Sequence, residues 1–189
     1  MAGATGALDE GLAQEMCFQW VAEAIKAKGF TPGKRLWWKT LTGAITSGPI
    51  NTFEAAGIKL VEKRGHYLLG IGDDGVRIVL EKFMAEGAPA ADLISIVPES
   101  GKIAITEVKG GKDILKAVDT QLKSTVEAFK TAGWQSEIEY VEVIVEKDVK
   151  IFDDAKNWII KDGYLFDTIN NKPVAVPGFP TIFVRATKL

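Results

Sequence analysis

From Asp92 to Glu146 the chain spells out one uninterrupted topological unit, and no other stretch restricts the fold as much. Asp92-Leu93-Ile94-Ser95-Ile96-Val97 is an apolar, β-branched run, and Pro98-Glu99-Ser100-Gly101 supplies turn residues. Lys102 to Lys109 alternates again until Gly110-Gly111 stops it. Lys112 to Ala132 then holds neither glycine nor proline and is closed by Gly133, which predicts a long helix with glycine at its C-terminal end. Glu139 to Glu146 alternates Tyr, Val and Ile as a further strand. A short turn folds its two strands antiparallel, whereas a strand, a long helix and another strand form a crossover that joins parallel neighbours. The predicted class is therefore α/β, with a mixed central sheet flanked by helices.

The flanking sequence adds elements to this centre. Leu12, Met16, Trp20 and Ala24 recur every four positions within Leu8 to Lys28, which predicts a helix ended by Gly29. Residues 30–57 read as a short helix or loop over the core. Ile58 to Ile71 reads as strand with a turn at Lys63-Arg64-Gly65, and Asp74-Gly75 as a tight turn. Val76, Val79, Leu80, Phe83 and Met84 then fit a helical stripe ending at Gly87. Asp153 to Lys161 reads as a short helix, Asn170-Asn171 as a hairpin turn and Thr181 to Arg185 as the last strand. With no repeat and no long linker, residues 1–189 are expected to form a single domain with its core at about 88–146.

Composition removes several function classes. One cysteine, Cys17, excludes an internal disulfide framework, and it reads as part of an apolar helix face. One histidine, His66, excludes a multi-histidine metal site. No apolar run is long enough to span a membrane, and the first residues lack the basic-then-apolar pattern of a signal peptide. A formal charge of −2 argues against a broadly basic nucleic-acid binder while allowing a local patch.

Strand periodicity locates the chemistry. Side chains two apart share a face, so Ile103, Ile105, Glu107 and Lys109 point one way, and Asp92 points with Ile94 and Ile96. Counting inward from the turn sets Ile96 near Ile103 or Ile105, and Asp92 near Glu107 or Lys109. Two carboxylates and an ammonium thus converge at one end of a hairpin, on a largely apolar surface. Buried charges must be paired or bind a metal. Hard oxygen ligands suit Mg2+ or Mn2+ rather than zinc.

Asp92 on one strand, Glu107-Val108-Lys109 near the end of the next and a long helix after it resemble the PD-(D/E)XK, or restriction-endonuclease-like, nuclease superfamily. The resemblance covers about residues 88–146. It implies a restriction-endonuclease-like sheet with extra β-hairpins, and a Mg2+-dependent nuclease that hydrolyses DNA with metal-activated water. On that likeness Asp92, Glu107 and the main-chain oxygen of Val108 would ligate the metal, and Lys109 would position or activate the water. Gln121 matches a glutamine that some members carry on the following helix. Many members also carry a glutamate on a preceding helix, for which Glu15, Glu23 and Glu81 are the candidates. The chain departs from the named motif in having no proline directly before Asp92; Pro89 lies three residues earlier. DNA is the expected partner ahead of RNA. Two alternatives stand beside it. One is an RNA- or transfer-RNA-cleaving toxin domain of a bacterial competition system, which would need a cognate immunity protein. The other is a non-catalytic α/β binding module. The expected setting is cytoplasmic or, for a toxin domain, delivery into a target cell.

Other motifs carry less. On a helical wheel Lys112, Lys116, Lys123 and Lys130 fall within about 40° of one another, opposite Ile114, Leu115, Val118, Leu122, Val126 and Phe129. They form either a row of phosphate contacts or an ordinary solvated face. Gly70-Ile71-Gly72-Asp73-Asp74-Gly75 matches a dinucleotide-binding pattern, but its two aspartates would repel a pyrophosphate, and a hairpin turn explains the glycines. His66 reads as structural, or as a general base for metal-independent RNA cleavage. Trp37 and Trp38 read as packing, or as base-stacking residues.

Overall fold

The computed structural model describes residues 45–46, 52–80, 83–110, 114–146 and 157–189. In chain order these form β1 (Ile45–Thr46), α1 (Thr52–Lys63), β2 (Tyr67–Ile71), α2 (Gly72–Val79), β3 (Leu93–Ile96) and β4 (Ile103–Lys109). Helix α3 follows as an α-helix over Ile114–Lys116, widens to a π-helical turn over Ala117–Leu122 and returns to α-helix over Lys123–Ala132. Then come β5 (Ile138–Val145), β6 (Trp158–Lys161), β7 (Tyr164–Asp167), β8 (Lys172–Pro173), β9 (Ala175–Val176) and β10 (Phe179–Lys188). One mixed sheet results, in the order β1-β2-β3-β4-β5-β10-β7-β6, with β8 beside β7 and β9 beside β10. The expected mixed α/β sheet with flanking helices is present. Its hairpin β3–β4 is antiparallel with Ile96 opposite Ile103 and Ile94 opposite Ile105. The crossover through α3 makes β4 and β5 parallel. Among the described residues no helix is long and apolar enough to cross a membrane.

The two sheet faces have different covers. Ile94, Ile96, Ile103, Ile105, Val141, Val143 and Val145 pack with Val118, Leu122, Val126 and Phe129 of α3 and with Val76 and Val79 of α2. On the opposite face Leu68, Leu93, Val108 and Ile144 meet Ile58 and Val61 of α1. Gly133 closes α3 in the left-handed conformation, φ 79°, as its position after an unbroken helical run predicts. Thr106, also on the α1 side, is fully buried, and among the described residues its hydroxyl has no hydrogen-bond partner. An unmatched buried hydroxyl loses water without replacement. Thr106→Val is therefore expected to raise stability by about 1 kcal/mol in denaturant titration. A destabilised variant would show that the hydroxyl is matched in solution.

Several local expectations are corrected. Ile58 to Lys63 is not strand but the second half of α1, whose buried positions Gly57, Ile58 and Val61 have helical spacing. The alternation of Ile58 and Leu60 looks extended only because the helix begins upstream, at Thr52. Strand structure starts at Tyr67, after the expected turn at Arg64-Gly65. Asp74-Gly75 is not a hairpin turn. It lies in α2, where Arg77 pairs with Asp73 at 3.0 Å and with Asp74 at 2.6 Å across one helical turn. The glycines serve this strand-to-helix junction. Gly72 takes φ 77°, and a Cβ on Gly70 would lie 3.1 Å from the Gly75 carbonyl oxygen. Helix α2 ends at Val79 rather than running to Gly87. Trp158 to Lys161 is strand rather than helix, paired with β7 through Asp162 and Gly163 at φ 53° and 80°. Two successive positive φ values make this a type I′ hairpin. Thr181 to Arg185 is the middle of the longer β10. The Leu8–Lys28 helix, Cys17, Trp37 and Trp38 lie outside the described residues, as does the Asp153–Lys156 part of the expected helix.

Candidate metal centre

Strand β3 begins at Leu93, one residue after Asp92, while β4 runs on to Lys109. The Asp92 side chain takes the place of the missing ladder, its Oδ2 accepting the Val108 N–H at 2.9 Å. Glu107 answers in kind, its Oε2 accepting the Asp92 N–H at 3.2 Å. This reciprocal pair holds both carboxyl groups at one strand end, as the face count requires. Asp92 is 9% exposed and Glu107 2%. Lys109 Nζ lies 3.8 Å from Glu107 Oε1.

Burial dominates the electrostatics. It raises Asp92 to about 7 against the lowering influence of the Val108 N–H, with Glu54 raising it further. It raises Glu107 to about 9, with Asp92 adding repulsion and Lys109 acting in the opposite direction. The two groups thus resist carrying two negative charges together. The cavity beside them, about 260 Å³, is lined by four carboxylic residues, Glu54, Asp73, Asp92 and Glu107, against two cationic ones, Arg77 and Lys109. Pro89, Ala90, Val108 and Gln121 complete that wall.

The structure brings Asp92, Glu107, Val108, Lys109 and Gln121 to one cavity, as expected from sequence. Gln121 sits in the π-helical turn, and Thr125 Oγ1 ties this turn to the strand end by donating to the Gln121 carbonyl and accepting the Ala91 N–H at 2.9 Å. The lysine row is partly engaged elsewhere. Lys116 is exposed, Lys123 lies 4.0 Å from Glu127, and Lys130 stands over the Phe179 ring. Lys112 and the three candidate glutamates Glu15, Glu23 and Glu81 lie outside the described residues. The glutamate that does line the cavity is Glu54, in the first turn of α1. Its signal is the helical spacing of Gly57, Ile58 and Val61, hidden when Ile58 onward is read as strand.

The donor set is all oxygen and negatively biased, which fits a hard divalent cation and not a soft one. Among the described residues no group of three or more histidine, cysteine, aspartate or glutamate side chains is placed to hold a metal ion together. Asp92 and Glu107 are tied to each other's strands by hydrogen bonds, and Glu54 lines the same cavity. Compared with known proteins, the chain matches no family model, no curated protein and no solved structure.

Proposed function

We propose that the chain is a Mg2+- or Mn2+-dependent nuclease of the restriction-endonuclease-like kind, acting on DNA. The single observation that carries this reading is the buried Asp92–Glu107 pair with Lys109 3.8 Å away at the end of adjacent strands. Asp92, Glu107 and the main chain at Val108 would hold the ion, while Glu54 lines the same cavity and adds negative charge to it. Such an ion supplies Lewis-acid charge and lowers the pKa of a coordinated water. Lys109 donates hydrogen bonds from beside Glu107, orienting a water and stabilising negative charge as it grows on a phosphate oxygen. In the hydrolysis the water oxygen bonds to phosphorus, one bridging P–O bond breaks, and the departing oxygen takes up a proton. Gln121 lines the same cavity and offers a neutral donor and acceptor for positioning. Lys116, exposed in the first turn of α3, suits contact with the phosphate backbone.

Plasmid cleavage with Mg2+, and with EDTA as control, tests the assignment. Asp92→Ala is expected to lose activity on the order of 10³-fold, about 4 kcal/mol of barrier. Lys109→Ala is expected to lose on the order of 10²-fold. Cleavage retained by both variants would remove these residues from the site. Cleavage of transfer RNA in preference to plasmid would move the substrate to RNA, and no cleavage of either, with no metal bound in titration, would favour a binding module.

A further inference from the structure

The α1 side of the sheet holds a second, larger cavity, about 680 Å³, well removed in character from the acidic one. Its floor is a closed polar network. Glu142, 3% exposed, accepts from Arg64 Nη1 at 2.9 Å through both oxygens. His66 Nε2 lies 3.3 Å from the Tyr140 hydroxyl and Nδ1 lies 3.0 Å from Ser95 Oγ. Burial, with Arg64 nearby, lowers His66 to about 4, so the imidazole is neutral at pH 7 and adds no charge. His66 thus stands as a neutral, hydrogen-bonded residue of the floor.

One group of the floor is left over. Strand register aligns Glu142 of β5, Arg185 of β10 and Tyr164 of β7 in a single row. Glu142 is taken by Arg64, and among the described residues Arg185 enters no ion pair. Its guanidinium instead lies over the Tyr140 ring, 4.3 Å from the centroid, and lines the cavity beside Tyr164. The same cavity is also lined by Glu99, Glu139 and Asp162, all exposed carboxylates. A phosphate ligand would meet three repelling carboxylates, and a simple amine would meet Arg185. A planar neutral group with acceptors on one edge and donors on the other satisfies both the arginine and the carboxylates. Guanine has this pattern, with O6 and N7 as acceptors for arginine and N1–H and N2–H2 as donors for carboxylate. Guanidinium planes and aromatic rings also stack on unpaired bases.

We propose that this cavity holds a guanine base of a single-stranded nucleic acid, its O6 and N7 accepting from Arg185, its ring beside Tyr164 and its N1–H and N2–H2 donating to the acidic residues. The choice of a nucleic-acid strand over a free nucleotide rests on the nuclease reading; the base chemistry does not. The test is a titration of the full chain, in EDTA, with a labelled oligothymidine carrying one central guanine and with its all-thymine counterpart. The guanine strand is expected to bind about tenfold tighter. Arg185→Gln is expected to erase the difference. So is Asp162→Asn, which leaves the fold intact because asparagine accepts φ 53° as readily as aspartate. Equal binding of the two strands, or a preference untouched by both variants, overturns the proposal. Tight binding of guanosine monophosphate with no binding of the strand overturns the strand as occupant. Because EDTA silences metal-dependent cleavage, failure here leaves the nuclease assignment standing, and failure of cleavage leaves this one to the titration.

Discussion

Glu107→Gln is expected to raise the melting temperature of the metal-free protein at pH 8 while abolishing Mg2+-dependent cleavage. The sign follows from protonation. In the unfolded chain Asp92 and Glu107 lose their protons near pH 4. In the folded chain they hold protons up to about 7 and about 9. Between those limits the folded state binds more protons than the unfolded one, so stability falls as pH rises from about 4 to about 9. The fall runs through the whole window, because raising a carboxyl pKa by one costs about 1.4 kcal/mol once the group is ionised. The glutamine of the variant cannot ionise, keeps an oxygen to accept the Asp92 N–H, and removes one carboxyl from beside Asp92, with Glu54 and Asp73 still nearby. Thermal melts across pH 5 to 9 should therefore slope downward in the wild type and flatten in the variant. Added Mg2+ should stabilise the wild type most at the alkaline end, because the ligands must deprotonate to bind it. A variant less stable than wild type at pH 8 would mean that the carboxyl is already ionised and well matched, and the picture of a strained acidic pair would go with it.

Gly57→Ala is expected to disable the site from a distance. A Cβ at residue 57 would lie 2.7 Å from Val108 Cγ2, and Val108 is a short, branched, buried side chain with nowhere to swing. In an open helix the same change gains roughly 0.5–1 kcal/mol from backbone entropy. Overpacking a filled core costs about 1–3 kcal/mol, so the net loss is up to about 2.5 kcal/mol, and α1 moves off β4. That helix carries Glu54, and Val108 belongs to the strand segment between Glu107 and Lys109. Cleavage should drop about tenfold or more, since small displacements at a reacting centre are amplified. The double variant Gly57→Ala, Val108→Ala separates the causes. It should recover Mg2+ affinity relative to Gly57→Ala alone, through a favourable coupling between contacting sites. Additive losses in the double variant would show that the clash is not what moves the helix.

The places where pattern reading fails share one cause. Hairpin β3–β4 is legible because Ile94, Ile96, Ile103 and Ile105 bury one face and any slip in register would expose them. Helix α1 is hidden because residues 30–57 read as a short helix or loop and Ile58 onward as strand, whereas Gly57 lies inside one helix and lets it approach Val108. Helix α2 is displaced because Asp74-Gly75 is a turn signal on its own, and the ion pairs to Arg77 that hold it helical lie a full turn away. Hairpin β6–β7 does have a local sign, Asp162-Gly163, but Trp158 to Lys161 reads on from the preceding residues as helix.

Sequence alone determined the strand–turn–strand–helix–strand centre, the face on which Asp92, Glu107 and Lys109 meet, and the glycine that ends α3, because each depends on periodicity within an element or on a turn between neighbours. Only the tertiary structure decided that Glu54 joins the acidic cavity and that Arg64, Tyr140, Tyr164 and Arg185 share another. The physical reason is strand order. β10 lies between β5 and β7 and parallel to β5, so residues far apart in the chain become cross-strand neighbours. No local spacing encodes which edge a returning strand will take.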